Sequence, residues 1–138
     1  MIGKLHPLLV HFPIALVLAA AGAELTAIVM RHAAWRAVAI ANIRAGAALG
    51  VATAIAGWVL ASSPVVDATP VLEWHRWVGI ASVIAAVAAA LGSAGDPARS
   101  RGAKWAYRGA LFSAAMLAAL TGHLGGTLVW GAGWLKLR

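Results

Sequence analysis

HPLLVHFPI, residues 6–14, is the stretch that decides how this chain is read. It sets His6 and His11, with Pro7 and Pro13, at the head of an apolar run that continues to Met30. A run of that length crosses a hydrocarbon core of about 30 Å, so the two imidazoles stand at and just inside a membrane boundary. An ionisable side chain there is expensive without a partner or a task. Pro7 suits a first-turn helical position, where its missing N–H is no loss. Pro13 cannot bond the carbonyl of Leu9, so a kink or a freed acceptor is expected beside His11.

The rest of the chain repeats this apolar pattern. Of 138 residues, 62% are hydrophobic and 11% charged, which lies outside soluble globular usage. Spans are expected at about 7–30, 37–62, 70–91 and 104–130. They make one transmembrane domain, 1–138, an all-α integral membrane four-helix bundle of up-down-up-down topology. Thr69 followed by Pro70 reads as an N-cap and first helical residue, and Gly92 to Gly102, with Asp96-Pro97 and Arg99, reads as a loop. Lys4 ahead of a run ending Ala21-Gly22-Ala23 has the outline of a cleavable signal, but His11 and Pro13 inside the run point to a retained span.

Several function classes fall away. The absence of cysteine excludes disulfides, thiolate metal sites, cysteine nucleophiles and covalent c-type haem attachment. The net charge of +7 is carried at helix ends with no extended polar surface, so nucleic acid is not an expected partner. No nucleophile and base are arranged for hydrolysis, and Asp67 and Glu73 alone carry little specificity. Gly122 to Gly126 lies inside a span and lacks a phosphate-binding lysine.

Charges inside the spans ask for partners. Glu24 and Arg44 fall at matching depth on neighbouring antiparallel helices, which predicts an intramembrane ion pair. Gly46 and Gly50 form a G-x-x-x-G pair that permits close helix approach. Arg31, Arg36, Arg44, Arg99, Arg101, Lys104 and Arg108 gather in or beside the first and third connections, while Lys4, Arg76, Lys136 and Arg138 flank the termini and the middle loop. By the positive-inside rule the first group is cytoplasmic and both termini face outward. The tryptophans Trp35, Trp58, Trp74, Trp77, Trp105, Trp130 and Trp134 sit mostly at helix ends, as an interfacial belt would.

His6, His11, His75 and His123 then all belong to the outward half, and His32 to the other side. His11, His75 and His123 come from three helices at similar depth, counted at about 1.5 Å per residue. Their deeper same-face neighbours, Ala15, Gly79 and Ala119, are small and leave room for a flat ligand. His6 reads as a rim residue and secondary ligand. The leading expectation is a b-type haem held between helices by His11 and His75, with His123 as an alternative ligand or bonded to a propionate. Arg76 would pair a propionate, with Gly79 and Gly126 beside the group. The rival is a copper, zinc or non-haem iron site on His11, His75 and His123. A third reading is a structural subunit whose histidines only bond neighbouring helices. An electron-transfer or cofactor-binding module is expected rather than a hydrolase. Its partners would be the lipid bilayer and a quinone or cytochrome, and whether it forms a homo-oligomer is left open.

At HPLLVHFPIAL, HRWVG and GHLGGTLVW the chain resembles an uncharacterised family of small bacterial membrane proteins with four predicted spans, sometimes found alongside c-type cytochrome domains. The resemblance covers nearly the whole chain and maps onto His6, His11, Pro13, His75, Arg76, His123, Gly125 and Gly126. It implies the four-span fold and points to these histidines.

Overall fold

A computed structural model describes residues 2–94 and 100–133. The centre of the Gly92–Gly102 loop, with Asp96, Pro97 and Arg99, and the C-terminal Trp134, Lys136 and Arg138 lie outside the described residues. A 3-10 turn, Ile2–Leu5, leads into α1 (His6–Leu9), α2 (His11–Met30), α3 (Ala33–Ala61), α4 (Pro70–Gly92) and α5 (Arg101–Trp130). Among the described residues the fold is all-helical. Four helical stretches, Gly3–Met30, Ala33–Ala61, Pro70–Gly92 and Arg101–Trp130, are long and apolar enough to cross a membrane.

Local chemistry sets the helix ends. Thr69 Oγ1 accepts from the Leu72 amide at 3.1 Å, as its N-cap position predicts. Ser100 Oγ accepts from Ala103 N at 3.0 Å, and His32 Nδ1 from Ala34 N at 3.3 Å. These two caps start α5 and α3 at Arg101 and Ala33, ahead of the 104 and 37 that hydropathy alone gives. Arg31 ends α2 in the left-handed conformation, φ 52°, so the chain reverses within Arg31 and His32. The first span is interrupted at Val10, between α1 and α2. Pro13 has no amide to close the bond to Leu9, and the Ile14 N to Val10 O bond is stretched to 3.4 Å.

α2 packs most extensively on α3, and α4 on α5, so the bundle is two antiparallel hairpins laid together. Its core is built of small residues: Ala20, Ala39, Ala89 and Ala114 are fully buried, around Ile43, Tyr107 and Leu111. The larger aliphatics Val29, Ile55, Ile84, Leu91 and Met116 face outward. A soluble bundle has the reverse arrangement. In lipid, where tails are as apolar as leucine, helices associate through close packing of small residues. Gly46 and Gly50 serve that purpose on two sides of α3. A methyl at Gly46 would meet Val17 and Leu16 of α2 at 3.1 and 3.2 Å, and one at Gly50 would meet Val83 of α4 at 3.4 Å.

Glu24 is fully buried, but its partners are not the Arg44 that depth counting gives. Arg108 Nε donates to Oε1 at 2.7 Å, and Arg36 donates to both carboxylate oxygens at 3.4 Å. Because α3 begins at Ala33, Arg44 lies one turn deeper than a start at 37 implies, and Arg36 takes the position beside Glu24. Arg44 reaches the C-terminal end of α4 instead. Its Nε and Nη2 donate to Ser93 Oγ at 3.0 Å and Ser93 O at 2.8 Å. A guanidinium at the carbonyl end of a helix satisfies orphan acceptors and opposes the negative end of the dipole.

Candidate functional site

A histidine can serve the interior only if it lies on the buried stripe of its helix. In the first span that stripe runs Pro13, Val17, Ala20, Glu24 and Ala27. Extended backwards by seven residues from Pro13 it meets His6. His11 stands five residues from His6, so at about 100° per residue it faces a different direction. His6 is accordingly half-buried, while His11 and its deeper neighbour Ala15 are exposed on the outer surface. In α4 the stripe Ser82, Ala86 and Ala89 extends back by seven to His75, which is half-buried. In α5 the stripe ends at Thr121, and His123, two residues on, is exposed, as is Ala119.

The structure therefore brings His6, rather than His11, to His75. Their ring centres are 6.2 Å apart with planes at 82°. Each ring is anchored in the same way: His6 Nδ1 bonds the main-chain carbonyl of Thr53 at 3.0 Å, and His75 Nδ1 that of Thr121 at 3.1 Å. A carbonyl only accepts, so Nδ1 carries the hydrogen in both rings and each neutral imidazole keeps its lone pair on Nε2.

The approach to each carbonyl is opened by a glycine one turn on. A methyl at Gly57 would stand 2.7 Å from His6 Cε1, and one at Gly125 would stand 3.3 Å from His75 Cε1. Thr53 and Gly57 on α3, and Thr121 and Gly125 on α5, thus form two copies of one device, Thr-x-x-x-Gly. Each lies almost the same distance along the chain from its histidine, 47 and 46 residues. Its elements are single residues separated by whole helices, so hydropathy and spacing give no local signal of the repeat. The signal present in the sequence is Thr-x-x-x-Gly near the end of the span that follows each histidine.

The other expected site residues spread around the pair. Gly79 is half-buried, with Thr121 Cγ2 3.4 Å from where its Cβ would be. Gly126, also half-buried, follows Gly125. Arg76, beside His75, lays its guanidinium 4.0 Å above the ring of Trp58, which meets Trp77 edge-on at 6.2 Å. This cation–π contact ties α4 to α3 at the mouth of the site. His11 and His123 do not join the pair, and among the described residues no group of three His, Asp or Glu side chains converges to hold a metal ion.

Comparison with curated proteins and with solved structures finds no match. The family model described as a predicted membrane protein, DUF2231, matches residues 4–135, nearly the whole chain and all four apolar helices, and the chain belongs to that family.

Proposed function

We propose that this membrane protein holds a b-type haem between its two hairpins, with His6 and His75 as the axial ligands, and that it passes electrons in the membrane. The observation that carries this reading is the pair of tethered imidazoles, each donating from Nδ1 to a carbonyl and keeping the Nε2 lone pair free. Metal-bound histidines are regularly oriented by such an outer bond. The two imidazoles, with ring centres 6.2 Å apart, would hold the group between them.

Ligand number favours haem over zinc or non-haem iron. A porphyrin supplies four equatorial nitrogens and needs from the protein only axial ligands, whereas a structural zinc site takes four protein ligands. Haem iron would supply one-electron chemistry, tuned by the two imidazoles and the surrounding burial. Arg76, at the mouth, is placed to pair a propionate on leaving Trp58. With the arginine-rich connection on the cytoplasmic side of a bacterial inner membrane, the pair lies toward the outer face, where a quinone or a cytochrome would exchange electrons with it. A second reading, a single copper ion between the two imidazoles, draws support from the close fit of both rings against Gly57 and Gly125.

Purifying the protein with haem supplied, then measuring its optical spectrum and metal content, tests both. The haem reading requires a Soret band that His6→Ala and His75→Ala each remove. Stoichiometric copper without that band would favour the second reading, and a colourless, metal-free protein would defeat both.

A further inference from the structure

The end of the bundle opposite the histidine pair carries a second cluster with a different chemistry. There the α2–α3 connection and the start of α5 enclose a pocket lined by Arg31, His32, Arg36, Lys104 and Arg108, with Ala27 and Ile28 on its apolar side. None of the described lining residues is acidic. The carboxylate that touches this cluster, Glu24, is fully buried and already engaged by Arg36 and Arg108. Among the described residues, four permanent cations against one carboxylate leave an excess of positive charge around a pocket at the helix ends.

The wall outside the pocket is apolar. Ile28 is partly exposed, Leu25 one turn further into the span is 54% exposed, and Trp105 is exposed beside Arg108, its ring 6.0 Å from the guanidinium. A ligand that satisfies both parts has an anionic head and hydrocarbon tails. We infer that this pocket binds the phosphate of an anionic phospholipid, with the headgroup among Arg31, Arg36, Lys104 and Arg108 and an acyl chain along Ile28 and Leu25. Basic pockets between transmembrane helices recognise anionic headgroups through the same pairing. The guanidinium fork of Arg31 suits phosphate oxygens, and Lys104 adds a point charge. Arg36 and Arg108 are held in place by Glu24, so part of the site is preorganised before the lipid arrives.

The test is native mass spectrometry of the full chain released from detergent containing phosphatidylglycerol, phosphatidylcholine or neither, with inorganic phosphate and glycerol phosphate as headgroup-only probes. Arg31 and Lys104 do not hold Glu24, so the Arg31→Gln/Lys104→Gln double variant is the informative one. The expected result is retention of phosphatidylglycerol over phosphatidylcholine, reduced roughly 30-fold in the double variant at about 1 kcal/mol per basic residue. Equal retention of the two lipids, or no loss in the variant, overturns the proposal. Inorganic phosphate that competes fully at millimolar concentration would keep the anion site and overturn the lipid as its source. Should the double variant not fold, the unchanged chain decides. Phosphatidylglycerol that stays bound equally at about 50 mM and about 1 M salt is not held by charge, and the proposal fails.

Discussion

His6 and His75 occupy equivalent places on two hairpins, each ring crossing a glycine of the facing helix to reach a threonine carbonyl one turn back. The pair is therefore held by main chain, which mutation of the threonine side chains leaves intact. Thr53→Ala and Thr121→Ala are expected to keep whatever the histidines bind, at the same stoichiometry in a metal or haem assay. His6→Ala and His75→Ala should each lose it, and His11→Ala and His123→Ala should not.

The glycines are the sharper test of geometry. A methyl at Gly57 falls 2.7 Å from the His6 ring, closer than the ring can tolerate, so Gly57→Ala should push His6 off Thr53. The clash falls on the movable end of a half-buried side chain, so its cost lies at the low end of the roughly 1–3 kcal/mol of core overpacking. The variant is expected to stay helical by circular dichroism, melt lower and bind substoichiometrically. Gly22→Ala, where nothing lies within 4 Å of the new methyl, is the matching control and should behave as the unchanged chain. A Gly57→Ala protein with full occupancy would mean that His6 is not a ligand.

Glu24 tests the opposite end. Removing one partner of a buried ion pair costs about 3–5 kcal/mol, because the remaining charge is left uncompensated. Glu24→Ala strands Arg36 and Arg108 together and should be the most destabilising single change at this end, read as a fall in midpoint on thermal unfolding in detergent. Glu24→Ala/Arg108→Leu should recover part of that loss, which a purely steric role for Glu24 would not allow.

Tyr107 makes the contrary prediction. Its hydroxyl is buried and, among the described residues, has no hydrogen-bond partner. Removing an unsatisfied polar atom relieves a desolvation penalty. Tyr107→Phe should leave stability unchanged or raise it by about 1 kcal/mol, whereas Tyr107→Ala, which empties a core position, should cost several times more. A marked loss in the phenylalanine variant would show that the hydroxyl is bonded.

Arg44→Ala removes two hydrogen bonds to Ser93 at the end of α4. Bonds to a charged group contribute about 1.5–3 kcal/mol each at most, and partial exposure lowers that here, so a loss of about 1–2 kcal/mol is expected. Hydrogen exchange should localise it to the last turn of α4.

The four spans and their order could be read from the sequence, because hydropathy and Pro and Thr punctuation are local signals. Choosing between His6 and His11 could not be done by depth, the measure that favoured His11. Depth places a residue along a helix and says nothing of direction, and in a span this rich in alanine the buried stripe is visible only once Pro13, Val17 and Glu24 are known to share it. The Glu24 partnership failed for a related reason. An error of one turn in where α3 starts exchanges Arg36 for Arg44, and the true start depends on a histidine N-cap that hydropathy does not register.

The placement of the two tethered rings also imposes an order on biogenesis. His6 leaves the ribosome ahead of the first full span, and its carbonyl anchor arrives only with α3. His75 follows on α4, and Thr121 with α5. Neither ring is anchored until the span after its own has docked. A chain stalled before α5 therefore lacks the carbonyl that orients His75.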